Sequence, residues 1–137
     1  MVPLITALTV IVCVGIHGEG LTLASRLCEG LPQRLRVAGC ILGAMAAHVV
    51  EITLFAVAIR FVITNGLGGL EPPIADFEDF VYFSATSYTS LGFGDFVPVG
   101  RMRTLSGVEA LTGLVLIAWT ASFTYVEMQR YWDDPDA

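Results

Sequence analysis

Two glycines one residue apart, Gly92 and Gly94, stand between apolar runs long enough to cross a bilayer. The stretch reads Thr89-Ser90-Leu91-Gly92-Phe93-Gly94-Asp95, with hydroxyls before the glycines, an aromatic between them and a carboxylate after. Irregular backbone at membrane depth is tolerated only where it is buried in protein or lines a water-filled path. The chain is therefore limited to folds that wrap protein, or a path for water, around this stretch.

Composition points the same way. Of the 137 residues 55% are hydrophobic and 15% charged, and mean hydropathy is +0.72. A soluble domain of this size needs more polar surface, so an integral membrane protein is expected. Net charge is −6, with seven arginines and no lysine. That argues against nucleic-acid binding, which needs a basic face, and is compatible with a path that attracts cations. Cys13, Cys28 and Cys40 have no metal-ligand spacing, and an odd number makes no disulfide framework. They are read as small packing residues.

Val2 to about Ala24 is read as the first span, roughly 33 Å long as a helix. No positive region precedes it, so it is expected to be a retained span rather than a secretory signal. Ser25–Arg36 reads as a polar connection. Val37 to about Ile63 forms the second span, rich in Gly and Ala in its first half, a composition suited to close helix packing. Thr64–Asp76 is turn chemistry: Asn-Gly, Gly-Gly and Pro-Pro. Phe77–Tyr88, about twelve residues, is too short to span and fits a re-entrant segment. Its leading Asp76, Glu78 and Asp79 suit the positive end of a helix dipole. The third span runs to about Met128, followed by an acidic tail. Arg26, Arg34, Arg36 and Arg130 outnumber Arg60, Arg101 and Arg103, which places the N-terminus outside and the C-terminus in the cytoplasm. Tyr131 and Trp132 would then sit at the inner interface.

The run Tyr82-Phe83-Ser84-Ala85-Thr86-Ser87-Tyr88-Thr89-Ser90-Leu91-Gly92-Phe93-Gly94-Asp95-Phe96-Val97-Pro98 resembles the pore loop of tetrameric potassium channels, whose signature is Thr-Val-Gly-Tyr-Gly-Asp. The resemblance covers roughly residues 40 to 128 and is nearest to small bacterial channels with a helix–pore loop–helix module. It implies an all-α integral membrane fold, with three transmembrane helices plus a re-entrant pore helix and selectivity filter per chain, assembled as a homotetramer. The expected organisation is an extra N-terminal helix and cytoplasmic loop (1–36), a pore domain (37–128) and a short acidic tail (129–137). Within the pore domain lie the outer helix 37–63, pore helix 77–88, filter 90–94 and inner helix 104–128. The implied activity is passive potassium conduction in a multi-pass cell-membrane protein. The alternatives are a weakly selective monovalent cation channel of the same fold and a non-conducting membrane subunit. No nucleophile–base arrangement marks an enzyme, and no cofactor is expected besides potassium ions at the filter.

By the same resemblance, carbonyls of Ser90, Leu91, Gly92, Phe93 and Gly94 would ring the ions. Dehydrating potassium needs a full set of replacement oxygens. A single strand alternates its carbonyls, so alternate residues must take unusual dihedrals, a freedom that Gly92 and Gly94 supply. Tyr82, Thr86, Thr89 and Asp95 would support the filter, with a Tyr82 hydroxyl to Asp95 bond expected. Ser90, Leu91 and Phe93 replace the family's Thr, Val and Tyr, which leaves strict selectivity open. Leu91 and Phe93 are expected to pack behind the filter. Gly113 matches the inner-helix hinge region, with close packing on the pore helix as the rival reading. Trp119 and Phe123 are candidates for a hydrophobic gate or for plain helix contacts.

His17, Glu19, His48, Glu51 and Glu109 fall within spans, where ionisable groups are costly and face protein. His17, His48 and Glu51 fall at one depth, and His48 and Glu51 share a helix face at i, i+3. They fit a proton or divalent-metal sensor, or an interhelical hydrogen bond that fixes packing; the second reading is preferred.

Overall fold

The computed structural model describes residues 1–74 and 76–133, with side chains up to residue 129. The tail from Asp134 on and the side chains of Tyr131 and Trp132 lie outside the described residues. The elements are α1 (Val2–Leu27), α2 (Gln33–Thr64), β1 (Gly69–Glu71), α3 (Phe77–Tyr88), β2 (Val97–Val99) and α4 (Met102–Asp133). Among the described residues, α1, α2 and α4 are the helices long and apolar enough to cross a membrane.

The polar connection is shorter than the sequence suggests. Ser25–Leu27 continue α1, and α2 starts at Gln33, where Val37 was expected. Gly30, in the left-handed region at φ +82°, makes the reversal, and Pro32 caps α2 with an extended backbone. Proline suits this place because its missing N–H costs nothing at a helix start.

Small residues set the α1–α2 spacing. A Cβ on Gly39 would lie 2.5 Å from Cys28 Sγ, a Cβ on Gly43 would lie 2.5 Å from Ala24 Cβ, and one on Gly20 would lie 3.2 Å from Ala47 Cβ. Such close approach is how helices gain contact without a hydrophobic drive in lipid. Cys13, Cys28 and Cys40 are buried free thiols within this packing. Gly43→Val is expected to destabilise the purified protein by about 1–3 kcal/mol through overpacking. Gly15→Ala, which meets nothing within 4 Å, is expected to be neutral or slightly stabilising in the same denaturation assay.

α3 packs between α2 and α4. Phe80, Phe83 and Tyr88 point into a core formed with Phe55, Ile59, Leu105 and Leu116. Arg60 places its guanidinium 5.8 Å from the centre of the Phe77 ring, tying the start of α3 to α2. β1 and β2 form an antiparallel ribbon in which Gly69 pairs with Val99, Leu70 with Pro98 and Glu71 with Val97. The ribbon was not expected within the turn-rich loops. It joins the segment before α3 to the segment after residue 95, so α3 and the glycine stretch are clamped at both ends.

Candidate functional site

The Thr89–Asp95 stretch leaves the C-terminus of α3 in a tight series of turns. Thr89 N–H donates to the Ala85 carbonyl at 3.1 Å, Ser90 N–H to Ser87 at 2.9 Å and Gly92 N–H to Thr86 at 3.1 Å. Ser90, Gly92 and Gly94 all take left-handed φ values, +58°, +50° and +83°. Left-handed residues thus alternate along the stretch. The glycines adopt this freely, whereas Ser90 holds it against a steric penalty of roughly 1–2 kcal/mol. Sequence reading assigned the unusual dihedrals to the glycines alone. The side chains of Leu91 and Phe93 are exposed within the single chain, 59% and 65%. Leu91 has no close cover within the single chain, whereas Phe93 stacks on Tyr82 of its own α3, so neither side chain is buried behind the stretch, contrary to the expectation. A cleft of about 310 Å³ lies there instead, lined by Thr86, Ser87, Gly92, Gly94, Asp95 and Ser106 among others.

Tyr82 organises the outer side. Its ring lies parallel to Phe93, with centroids 6.3 Å apart, and meets Phe96 edge-on at 6.1 Å. Hydrogen bonding to the Asp95 carboxylate raises the phenol above its usual pKa. Asp95 also accepts the Phe96 N–H at 3.2 Å. Thr86 is buried, its hydroxyl bonded to the Phe83 carbonyl at 2.9 Å. The Thr89 hydroxyl donates to Ala85 at 2.7 Å.

α4 runs unbroken through Gly113, and a Cβ there would overlap the Tyr88 carbonyl and lie 2.9 Å from Tyr88 Cδ1. This glycine is where α4 and the end of α3 touch. Trp119 faces α1: its ring meets the missing side chain of Gly18 and lies 5.2 Å from the His17 ring. Trp119 and Phe123 line a cleft of about 320 Å³ between α1 and α4. Glu109 Oε1 lies 2.5 Å and the Ile52 carbonyl 2.8 Å from the Ser84 hydroxyl, whose single hydrogen serves one of them at a time.

His17, His48 and Glu51 come together at the meeting point of the helices. His17 Nδ1 lies 2.9 Å from Glu51 Oε1, and His48 Nδ1 lies 3.2 Å from Glu51 Oε2. Two further residues, which the sequence did not assign to this cluster, complete it. The Tyr88 hydroxyl donates to Glu51 Oε2 and sits 2.9 Å from His48 Nδ1. Thr120 Oγ1 lies 2.9 Å from His48 Nε2 and 3.3 Å from His17 Nε2. His17 and Glu51 are fully buried. Each side chain of the cluster thus meets at least two polar neighbours, which is what a buried polar network needs to be tolerated. Glu19, by contrast, is exposed on α1. Another interhelical contact missed in the sequence is the Arg36–Glu127 pair at 3.1 Å, to which Ser25 donates at 3.2 Å. Basic residues at the start of α2 opposite an acidic one late in α4 were the available signal.

No well-characterised protein and no solved structure matches the chain. A sequence-family description, ion channel, matches residues 47–130. That segment runs from the middle of α2 through α3 and the glycine stretch to the end of the third span, and it covers more than half of the chain. On this match the chain belongs to the ion channel family.

Proposed function

We propose that the chain is one subunit of a homotetrameric cation channel in which Ser90, Leu91, Gly92, Phe93 and Gly94 form the ion path and potassium is the permeating ion. The alternation of left-handed residues at Ser90, Gly92 and Gly94 supports this reading most directly. Alternating handedness turns successive carbonyls of one strand to the same side, as a ring of oxygens around a dehydrated ion requires. One chain supplies one strand, so cyclic assembly around a common axis completes the ring. The whole Thr89–Asp95 stretch is exposed in the single chain, a surface that neighbouring subunits would cover. α3 is the re-entrant pore helix of this reading, and its C-terminal dipole favours a cation at the inner mouth. Acidic Glu71, Asp76, Glu78 and Asp79 near its start form a vestibule that concentrates cations. The N-terminus lies outside and the C-terminus in the cytoplasm of a multi-pass cell-membrane protein.

Liposomes containing the purified chain are expected to take up potassium down its gradient. Gly92→Ala would push a left-handed residue into a conformation costing roughly 1–2 kcal/mol, so flux is expected to fall about tenfold or more while the folded protein persists. Flux unchanged by Gly92→Ala would sink the filter assignment. A second reading is a weakly selective cation channel, favoured by the exposure of Leu91 and Phe93, which leaves the strand braced to its own helix chiefly through Tyr82. Bi-ionic reversal potentials separate the two: equal sodium and potassium permeability selects the weaker reading.

A further inference from the structure

The side chains gathered where all four helices meet have the donor set and spacing of a metal centre. His17 Nδ1 and His48 Nδ1 flank the two oxygens of Glu51 at 2.9 and 3.2 Å. One ligand atom from each of the three residues falls within 4.8 Å of the others. Tetrahedral coordination at about 2.0–2.1 Å sets neighbouring donors roughly 3.3 Å apart. Small side-chain rotations bring the three to that spacing. The Tyr88 hydroxyl, 2.9 Å from His48 Nδ1 and bonded to Glu51, supplies a fourth donor atom.

A second observation lies on the far side of both rings. His48 Nε2 and His17 Nε2 converge on one atom, Thr120 Oγ1, at 2.9 and 3.3 Å. A hydroxyl oxygen has two lone pairs and one hydrogen. When both Nδ1 lone pairs face an ion, both Nε2 atoms carry hydrogens, and the Thr120 oxygen accepts the two together. An outer partner of this kind fixes the tautomer and orientation of a metal-bound imidazole.

We propose that His17, His48 and Glu51, with the Tyr88 hydroxyl as fourth ligand and Thr120 as outer partner, bind a divalent transition metal of the zinc class. Two imidazoles and one carboxylate suit zinc, cobalt or nickel, whereas magnesium and calcium take all-oxygen sets. The ion ties α1 to α2 directly. Through Tyr88 and Thr120 it reaches α3 and α4 as well. Tyr88 is the last residue of α3 and precedes Thr89, so an ion here stands behind the inner end of the glycine stretch. Control of permeation by the metal follows only if the channel reading holds; the binding itself does not depend on it.

The test is a titration of the full chain in detergent, stripped with chelator, with cobalt(II) followed by visible absorption. The expected result is the intense ligand-field absorption of four-coordinate cobalt, saturating at one ion per chain and lost on adding zinc. The double variant His17→Ala/His48→Ala is expected to give no such absorption. Thr120→Val keeps every ligand and is expected to weaken zinc binding by about 10–100-fold. Absence of the absorption in the unaltered chain overturns the proposal, and so does a signal retained by the double variant. Should that variant not fold, Thr120→Val decides: undiminished zinc affinity overturns the site. Liposome flux is measured separately, so a failed titration leaves the channel reading standing and a failed flux assay leaves the metal site standing.

Discussion

Gly113→Ala is expected to destabilise the purified channel by at least ~3 kcal/mol, the upper part of the range for overpacking a closed interior. The added Cβ would overlap the carbonyl oxygen of Tyr88 and come within 2.7 Å of its carbonyl carbon. These are backbone atoms, so no rotamer change relieves the overlap. Either α4 withdraws from α3 or the last turn of α3 moves, and that turn carries the Ser90 and Gly92 hydrogen bonds. Denaturation in detergent, read by loss of the folded protein's helical signal, measures the effect. Leu111→Ala on the same helix, where the side chain is 63% exposed, is expected to stay within about 0.5 kcal/mol. If Gly113→Ala instead leaves stability intact and alters only the fraction of open channels, the glycine acts as a hinge and the packing account fails.

Glu51→Ala carries the other large effect. The carboxylate is fully buried and faces three donors: His17 Nδ1, His48 Nδ1 and the Tyr88 hydroxyl. Removing it leaves all three without their shared acceptor. Loss of one partner from a buried ionic cluster costs about 3–5 kcal/mol. The measurement is made with chelator present, so that metal does not contribute. Glu51→Gln keeps the shape and one acceptor oxygen, and is expected to cost about 1–3 kcal/mol. Additivity offers a further check. In a His17→Phe background the Glu51→Ala loss is expected to shrink, because residues of one network couple by about 0.5–3 kcal/mol. Full additivity would mean that the contact between α1 and α2 at this point contributes nothing.

Much of the helical plan could be read from hydropathy alone. The three long helices and the short α3 announce themselves as apolar runs whose lengths either exceed or fall short of a bilayer. Their ends were harder. Ser25–Leu27 and Gln33–Arg36 are polar or mixed, yet helix continues through them, because Gly30 and Pro32 supply all the irregular backbone that the reversal needs. The β1–β2 ribbon was invisible for a different reason: three-residue strands rich in Gly and Pro have no period to detect. In the glycine stretch, the order of residues pointed to unusual dihedrals at Gly92 and Gly94, but nothing in a serine announces a left-handed φ, so that of Ser90 was not foreseen although the residue itself was placed in the filter. The polar cluster was half legible. The i, i+3 spacing of His48 and Glu51 is a local signal, and the depth of His17 followed from counting along α1. Tyr88 and Thr120 join it through contacts between helices. Each reads in sequence as an ordinary aromatic or hydroxyl residue on a packed face.

The family match begins at residue 47, and His17 and Gly18 lie before it. α1 nevertheless closes the cluster around Glu51 and covers one face of Trp119. The module shared with the wider family is therefore not a self-sufficient part in this protein. A chain trimmed to the shared segment would carry a carboxylate short of one neighbour, a histidine cluster short of one arm and an indole with one face uncovered. In design terms, the boundary drawn by family similarity and the boundary drawn by physical completeness do not coincide: the smallest piece that satisfies its own buried groups begins in α1.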